Sequence, residues 1–458
     1  MTRRFDAIVV GAGQAGPALA GRLTAAGMTV AVVERKLLGG TCVNTGCMPT
    51  KTLVASAYTA HLARRAADYG VAIDGNITVD MARVKARADT VSANARANVD
   101  RWLGGMAGCT VIHGHARFES ATELRVGDEL IAADRIFLNV GGRAVVPDMP
   151  GVDSIDPLTN VSMLALDALP RHLVVVGGSY IGLEFAQMYR RFGAQVTVVE
   201  KGPRLIGRED DEVSAEVRAI LEAEGVAFRL DAECIHFAPH AEGVAVGVDC
   251  NSGDREVIGS HVLLAVGRRP NTDDLGLDRP GVATDARGYI TVDDRLRTSV
   301  PGIWAMGDCN GRGAFTHTAY NDFEIVAANL LDDDPRSVND RIPAYALYID
   351  PPLGRVGMSE AEARKAGRPI RIGHRPMTRV GRAIEKGETR GFMKVIVDAE
   401  TDRILGAAIL GTGGDEAIHG ILDIMYADAP ASVLQRSVGI HPTVSELIPT
   451  MLGELKAG

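Results

Sequence analysis

The chain has 458 residues, of which 46% are hydrophobic and 23% are charged, a composition typical of globular proteins. The length allows about three domains and enough buried apolar surface to fold without disulfides. The formal net charge of −9 argues against a nucleic-acid partner, because domains that bind nucleic acids are usually basic.

The amino-terminal residues 1–13 begin with basic side chains and continue into an apolar strand. Asp6 and the early glycines are not typical of a signal peptide. No apolar run reaches the ~18 residues that a membrane span requires. We therefore expect a cytoplasmic protein without membrane contact, where a close cysteine pair is more often redox-active or metal-binding than structural.

Two segments, residues 5–34 and 171–200, follow one pattern: apolar strand, glycine-rich turn, helix, second strand and an acidic residue. The glycines allow close approach to a pyrophosphate at a helix amino terminus, and the acid can bind a ribose diol. The pattern predicts two dinucleotide sites, with electron transfer between the dinucleotides as the simplest interpretation. The residues concerned are Gly11, Gly13, Gly16 and Glu34 in the first copy and Gly177, Gly178, Gly182 and Glu200 in the second.

The acid of the second copy bears on the choice of dinucleotide. Glu200 favours NADH, because a 2′-phosphate would meet a like charge. Lys201, Arg204 and Arg208 follow closely and leave NADPH possible. We expect NADH as the main donor.

Later segments complete the plan of the chain. Residues 138–147 resemble a strand and turn that lead from one domain to the next. Residues 298–310 end a strand at Gly307 and Asp308, and the aspartate can accept hydrogen bonds from a polyol. From about residue 338 the sequence changes to alternating strands without a nucleotide motif, which indicates a separate α+β domain for packing or dimerisation.

Cys42 and Cys47 lie in "GGTCVNTGCMPTK" (39–51). In an ideal helix their Cα atoms would be ~8.7 Å apart, whereas a disulfide requires ~4.4–6.8 Å. A bonded pair therefore needs a distorted turn, which Gly46 can supply. Thiols at the start of a helix gain thiolate character from the helix dipole. A reversible redox pair is favoured over a structural disulfide, and over a metal site, because no second ligand cluster follows.

These motifs, together with "AVGRRPN" (265–271), "GIWAMGD" (302–308) and "HPTVSE" (441–446), closely resemble the flavoprotein disulfide reductases. That family includes dihydrolipoamide dehydrogenase, glutathione reductase and mercuric reductase. The resemblance covers nearly the whole chain and implies an α/β fold with two Rossmann-like dinucleotide-binding domains and a carboxy-terminal α+β dimerisation domain. It divides the chain into an FAD-binding domain in two parts (1–149 and 269–336), an NAD(P)H-binding domain (150–268) and an interface domain (337–458).

The resemblance also implies roles for single residues. FAD would bind the first unit, with Glu34 at its adenosine ribose and Asp308 at its ribityl chain, and NADH would bind the second. Cys47 would be the charge-transfer thiol over the flavin, and Cys42 the interchange thiol facing substrate. Lys51 would pair with Glu184 near the flavin, Tyr180 would gate the nicotinamide, and the helix at 316–327 would face the flavin pyrimidine. Further cofactor-binding positions are Gly40, Thr41, Lys51, Gly142, Gly267, Thr318 and Ala319.

His441 and Glu446 match the catalytic His–Glu pair of the family. A thiol exchange needs a base near neutral pH, and a carboxylate can orient the imidazole. In the family this pair reaches into the active site of the partner subunit. The resemblance therefore implies a homodimer whose two active sites are each shared between the subunits.

The residues near the cysteines and at 350–363 resemble the mercuric-reductase-like branch and the bacterial reactive-chlorine-resistance flavoprotein, a cupric reductase. The tail 450–458 has no vicinal cysteines, and the flavin motif begins at residue 11, without a preceding metal-binding domain. We therefore expect electrons to pass from NADH through FAD and the cysteine pair to a small disulfide or a soft metal ion, with no resident metal. The alternatives are a true mercuric or cupric ion reductase, a flavin NADH oxidase, or a flavoprotein that only binds nucleotides.

Overall fold

We describe residues 2–249 and 255–458 of the chain from a computed structural model. The first dinucleotide unit is built on a five-stranded parallel sheet. All four residues of its central strand, Ala7–Val10, are buried, as expected for a parallel sheet covered on both faces. The strands follow the spatial order Ile303–Ala305, Ile136–Leu138, Ala7–Val10, Val30–Glu34 and Cys109–His113.

The second unit repeats this arrangement with four parallel strands. In each unit the glycine-rich turn joins the central strand to a helix, Ala15–Ala25 in the first and Tyr180–Phe192 in the second. Two Rossmann-like units are therefore present, as predicted. The strands of the second sheet follow the order Ala227–Arg229, Gln195–Val199, His172–Val176 and His261–Leu264.

Three smaller sheets accompany the two units. The two-stranded sheet pairs Gly142–Ala144, which follows a strand of the first unit, with Arg268–Pro270, which follows a strand of the second. The chain passes between the two units at this sheet. The small sheets are Glu233–His240 with Gly243–Asp249 and Glu256–Gly259; Arg3–Arg4 with Glu129–Ala132, Glu123–Val126 and Ala116–Phe118; and Arg268–Pro270 with Gly142–Ala144.

The carboxy-terminal part of the chain forms a six-stranded antiparallel sheet with short helices on it. This arrangement confirms the predicted α/β fold of two Rossmann-like units and an α+β domain. The exact domain boundaries remain a prediction. The strands follow the order Ala344–Leu347, Leu353–Gly357, Ile404–Leu410, Phe392–Asp398, Ile370–Pro376 and Lys456–Ala457.

The helices pack the three parts together. One hydrophobic core joins Leu53 of the cysteine-bearing helix, Phe185 of the second unit and Leu353 of the carboxy-terminal sheet, so the position of each part depends on the others. Among the described residues, none of the helices combines the length and apolar character needed to cross a membrane. The helices not yet given are Gly40–Asn44, Cys47–Arg64, Met81–Gly104, Asn160–Ala165, Asp211–Ala223, Thr316–Ala327, Glu360–Lys365, Gly381–Glu385, Gly414–Ala417, His419–Tyr426, Ala431–Gln435 and Leu447–Gly453.

Candidate active site

A cavity of about 1030 Å³ lies at the carboxyl edge of the first sheet, where parallel α/β sheets bind their ligands. Side chains from the second unit and from the carboxy-terminal sheet complete its wall, so all three parts contribute to one site. The predicted site residues that line it are Gly11, Gly13, Glu34, Gly40, Thr41, Cys42, Cys47, Lys51, Gly142, Tyr180, Glu184, Asp308 and Ala319.

The glycine-rich wall of this cavity consists of closely approaching backbone. A side chain at Gly40 would place its Cβ only 2.6 Å from the Cα of Gly13, so the turn and the helix Gly40–Asn44 can meet only without side chains. Gly16 is buried and does not line the cavity; a Cβ there would collide with the carbonyl oxygen of Gly11. Gly16 therefore serves the packing of helix on strand, and the other glycines expose backbone to a ligand.

Glu34 and Glu200 make equivalent contacts in the two units. A carboxylate oxygen of Glu34 accepts a hydrogen bond from the backbone N–H of Ala12 (2.9 Å), and one of Glu200 accepts from Gly178 (2.6 Å). The other oxygen of each accepts from a backbone N–H two residues further on, at 2.8 Å in both cases. Each acid is thus held at its glycine turn, where a ribose would lie.

The remaining predicted residues of the second unit lie away from the cavity. Gly182 repeats the role of Gly16, because a Cβ there would collide with the carbonyl oxygen of Gly177. Gly267 has a φ of +130°, a left-handed conformation that favours glycine, and it precedes the strand Arg268–Pro270. These residues shape the second turn and the link between the units.

The chain breaks its helix between the two cysteines. The helix Gly40–Asn44 ends before Cys47, the helix Cys47–Arg64 begins at it, and Thr45 and Gly46 between them have non-helical backbone. The sequence predicted this distortion from the reach of a disulfide. Both thiols are unbonded here, and the hydroxyl of Thr316 lies 3.2 Å from the Sγ of Cys47.

The two thiols differ in acidity. A hydrogen bond from Cys42, assisted by Thr316 and by the charge of Lys51, lowers the pKa of Cys47 to about 6 against the effect of burial. The same hydrogen bond, together with burial, raises the pKa of Cys42 well above its usual range. The reduced pair therefore holds one thiolate, on Cys47, with Cys42 as its proton-bearing neighbour.

Lys51 and Glu184 meet as predicted. The ammonium lies 2.7 Å from the Glu184 carboxylate, which also accepts the backbone N–H of Tyr348 at 3.1 Å. The ammonium also stands 4.5 Å above the centre of the Tyr348 ring. The charge of Lys51 is therefore fixed within the cavity wall.

Asp308 follows the last strand of the first sheet, in the short 3-10 turn Gly307–Asn310. Burial raises the pKa of its carboxyl despite the guanidinium of Arg268, 3.6 Å away. Arg268 itself donates to the carbonyl oxygen of Gly142 at 2.6 Å. A desolvated carboxylate with acceptor capacity at the cavity wall suits the hydroxyl groups of a polyol.

The helix Thr316–Ala327 presents its amino-terminal end to the cavity. Ala319 and Thr316 line it, but Thr318 is buried, and its hydroxyl donates to the carbonyl oxygen of Phe315 at 2.8 Å. Thr318 thus caps the helix, and Ala319 is the one of the two predicted positions that meets the cavity. The described residues contain no cluster of three or more histidine, cysteine or acidic side chains that could hold a metal ion.

His441 and Glu446 pair with each other but lie outside the cavity. The Nδ1 of His441 is 3.1 Å from both carboxylate oxygens, and 79% of its side chain is exposed. Neighbouring Val438 and Ile440 are 98% and 80% exposed. The pair therefore lies on the surface of the chain beside exposed apolar side chains.

Some contributors to the site carry no motif in the sequence. Thr316 reaches Cys47, and Tyr348 supports Lys51 and Glu184, but a single threonine or tyrosine gives no signal at the level of sequence. Glu209 accepts the hydroxyl groups of Tyr180 and Tyr345, across wide separations along the chain. Tertiary packing alone brings Thr316 and Tyr348 to the cavity and places Glu209 and Tyr345 behind Tyr180.

The family model for pyridine nucleotide-disulphide oxidoreductases matches residues 5–322, and the model for their dimerisation domain matches residues 343–452. This chain belongs to that family. The family uses FAD and NAD(P)H, and the glycine turn, Glu34 and Asp308 of the first unit provide the open backbone and acceptors that FAD requires.

Known members are similar over nearly their whole length. The probable pyridine nucleotide-disulfide oxidoreductase RclA of Escherichia coli is 36% identical over 99% of this chain and 100% of its own. The mercuric reductase of Streptomyces lividans and the dihydrolipoyl dehydrogenase of Thermus scotoductus are each 32% identical over 97% of this chain, and over 94% and 96% of their own lengths. A Cu(II) complex of the HOCl-induced flavoprotein disulfide reductase RclA from Escherichia coli has a TM-score of 0.90 at 35% identity, covering 99% of both chains.

Proposed function

We propose that this protein transfers two electrons from NAD(P)H, through FAD and the Cys42–Cys47 pair, to a small disulfide. The observation that carries the proposal is the position of two inequivalent thiols in one cavity with the glycine turn of the first unit and with Tyr180 of the second. The overall reaction is NAD(P)H + H⁺ + RSSR → NAD(P)⁺ + 2 RSH. NADH is the preferred donor because Glu200 would repel a 2′-phosphate.

FAD would be held by the glycine turn, Glu34, Gly142, Asp308 and Ala319. Bound there, FAD would supply the chemistry of hydride acceptance from a nicotinamide and of two-electron transfer to the cysteine disulfide. The chain supplies the electrostatic environment for this transfer. Lys51, fixed by Glu184, places a positive charge in the cavity wall, and the helix that begins at Thr316 directs its positive amino end there.

The reduced pair then acts on substrate. Because its pKa is raised, Cys42 must first lose its proton to a base, and its thiolate then attacks one sulfur of the substrate disulfide. The first product leaves as a thiolate and takes up a proton. The Cys47 thiolate attacks the Sγ of Cys42 in the mixed disulfide, which releases the second product and re-forms the Cys42–Cys47 disulfide.

His441 is the proposed base, acting in the site of the second subunit. This assignment is supported by its pairing with Glu446, its exposure and its distance from the cavity of its own chain, together with the dimerisation domain. The carboxylate of Glu446 orients the ring through Nδ1. Each active site would then need both subunits.

Reduction of a soft metal ion is the second candidate function. Thiolates bind soft ions such as Hg(II) and Cu(I), and the likeness to mercuric reductase and to a Cu(II)-bound RclA favours metal ions as the acceptor class. In that case Cys42 and Cys47 would bind the ion as thiolates, so Cys42 would have to lose its proton here as well. The two functions are therefore separated by the acceptor that sustains turnover.

The test is anaerobic oxidation of NADH by the holoenzyme, with small disulfides or with Cu(II) and Hg(II) as acceptors. Cys42→Ser is compared with wild type and with Cys109→Ser, a thiol on the edge strand of the first sheet outside the cavity. We expect disulfide-dependent turnover that Cys42→Ser abolishes and Cys109→Ser retains. Turnover with metal ions alone would support the second candidate, and turnover that survives in Cys42→Ser would contradict both.

Mixed dimers test the shared site. One subunit carries Cys42→Ser and the other His441→Gln. If the sites are shared, one site has both substitutions and the other has neither, so about half of the wild-type turnover per dimer is expected. If each chain supplied its own histidine, both sites would be damaged and the mixed dimer would be inactive.

A further inference from the structure

Glu209 is a buried carboxylate that receives two phenols from different parts of the chain. One of its oxygens accepts the hydroxyl of Tyr180 at 3.1 Å and the hydroxyl of Tyr345 at 2.7 Å. The rings of Tyr180 and Tyr345 meet edge to face, with centroids 5.5 Å apart. The side chain of Glu209 is completely buried, and the only cation close to it is the equally buried Arg355, at 3.8 Å among the described residues.

This carboxylate lies on a segment that contacts the second glycine turn. The backbone N–H of Ile206 donates to the carbonyl oxygen of Gly178 at 2.9 Å, and the N–H of Glu209 donates back to Ile206 at 2.8 Å. The segment thus connects the turn that would hold the dinucleotide to the ring of Tyr180 at the cavity wall. A substitution of Glu209 can therefore affect Tyr180, although Glu209 does not line the cavity.

The next residue anchors the segment to the carboxy-terminal domain. Asp210 accepts the backbone N–H groups of Glu360 and Ala361, both at 3.1 Å, and faces the buried ammonium of Lys394 at 3.3 Å. Glu209 is therefore held in a fixed position, and the free partner in the Tyr180 contact is the tyrosine. The ring of Tyr180 can swing only by giving up its hydrogen bond.

Tyr345 also connects this carboxylate to the cysteine pair. Its ring stacks on Phe315 with centroids 5.7 Å apart, and Phe315 directly precedes Thr316, whose hydroxyl contacts Cys47. Phe315 and Tyr180 both line the cavity. Glu209 is therefore linked to the cavity wall directly through Tyr180 and, by way of Tyr345, through Phe315.

We propose that Glu209 is a positioning residue that holds the Tyr180 ring closed over the dinucleotide site and sets the free energy of its opening. The inference rests on the proposed function, in which Tyr180 must move aside for the nicotinamide. Because a dinucleotide binds only the open form, its apparent affinity falls with the fraction of open protein. Weakening the contact with Glu209 therefore tightens dinucleotide binding.

The shared oxygen makes the two phenols compete. Removal of the Tyr345 hydroxyl leaves Tyr180 as the single phenol donor on that oxygen, which strengthens its bond and favours the closed form. Removal of the Tyr180 hydroxyl, or of the charge of Glu209, favours the open form. The two directions are opposite, whereas a purely structural cluster would respond to all three changes in the same direction.

The experiment measures the Kd of NAD⁺ for the oxidised holoenzyme by calorimetry and the KM for NADH at saturating disulfide. We expect Glu209→Gln and Tyr180→Phe each to lower the Kd by about threefold to tenfold, the range set by the net contribution of one typical hydrogen bond, and Tyr345→Phe to raise it. Tyr189→Phe is the matched control, because it deletes a buried phenol hydroxyl on the same helix that donates to Met163 instead. It should leave the Kd unchanged.

The double variant Tyr180→Phe with Glu209→Gln should bind NAD⁺ no more tightly than Tyr180→Phe alone, since Glu209 acts through that hydroxyl. If Glu209→Gln fails to fold because Arg355 loses its partner, the opposite shifts of Tyr180→Phe and Tyr345→Phe still decide. If Tyr180→Phe and Tyr345→Phe changed the Kd of NAD⁺ in the same direction, the proposal would be overturned. If the wild-type protein did not oxidise NADH with a disulfide, but the variants still showed the expected shifts in the Kd of NAD⁺, the proposed function would be refuted. The role of Glu209 would then stand.

Discussion

Lys51 and Glu184 form a 2.7 Å ion pair between two helices, Cys47–Arg64 of the first dinucleotide unit and Tyr180–Phe192 of the second. The pair joins the helix that begins at Cys47 to the helix that begins at Tyr180. The Glu184 side chain is 7% exposed and that of Lys51 is 33% exposed. The contact thus joins the two units beside the cavity in which the proposed electron transfer would take place.

Lys51→Met should slow reduction of the flavin by NADH at least tenfold, because it removes the fixed positive charge from the cavity wall. It also leaves a buried carboxylate without its ion pair. We expect a loss of about 1–3 kcal/mol in the free energy of unfolding, less than a fully buried pair would cost because Lys51 is partly solvated. Stopped-flow absorbance and thermal unfolding measure the two effects.

Lys51→Arg is the matched control for that substitution. It retains the charge and should recover most of the stability and part of the rate. A Lys51→Met enzyme with unchanged flavin reduction would show that the pair is only structural.

The reduced protein should hold a thiolate with an apparent pKa near 6, on Cys47. Because this pKa lies below the ordinary value of 9.0, the thiolate contributes stability that is fully present above pH 9 and is lost as the pH falls through about 6. The ultraviolet absorbance of wild type minus Cys47→Ser, titrated anaerobically, isolates this group. Cys42→Ala should raise the midpoint most, since the hydrogen bond from Cys42 lowers the pKa most.

Thr316→Val should raise the same midpoint by a smaller amount, because its hydroxyl contributes less than Cys42 does. A midpoint that stays near 6 in Cys42→Ala would mean that the helix terminus and Lys51 alone stabilise the thiolate. A midpoint near 9 in wild type would contradict the assigned acidity.

The sequence carried enough information to predict the two dinucleotide units, because their glycines and acids have steric and hydrogen-bonding roles with fixed spacing. Gly16 and Gly182 show this directly, since a side chain at either would collide with the turn that precedes it. The break between Cys42 and Cys47 also followed from the reach of a disulfide. Features that depend on local backbone geometry, such as these turns and this helix break, can therefore be predicted from the sequence.

The residues that hold the predicted site side chains in place could not be predicted in the same way. Glu209, Tyr345 and Tyr348 act through contacts between the second unit and the carboxy-terminal sheet, which no periodicity or spacing encodes. The family motif led us to expect Thr318 at the cofactor, whereas its side chain is buried as a helix cap. Tertiary packing decided which residue of the helix faces the cavity.

Glu200→Gln should shift the donor preference from NADH towards NADPH, raising the NADPH to NADH ratio of kcat/KM by about tenfold or more, because like charges in contact cost several kcal/mol. The amide keeps one acceptor oxygen for the N–H of Gly178 or Gly202, so the turn should remain formed. Glu242→Gln, on an exposed ion pair with Arg171, is the control and should leave the ratio unchanged. An unchanged ratio in Glu200→Gln would exclude Glu200 from donor selection.

Asp308→Asn should weaken FAD binding while it stabilises the protein freed of FAD. Burial raises the pKa of Asp308, so the folded state holds the proton more tightly than the unfolded state does. The charged carboxylate therefore costs stability, and this cost appears as the pH rises through the folded pKa. A neutral amide avoids that cost but is a weaker acceptor for the hydroxyl groups of a polyol.

The measurements are the Kd of FAD and the Tm of the FAD-free protein at pH 5 and pH 8, with the gain in Tm expected to be larger at the higher pH. Weaker FAD binding with no gain in Tm would mean that Arg268, 3.6 Å away, already compensates the partly buried charge of Asp308.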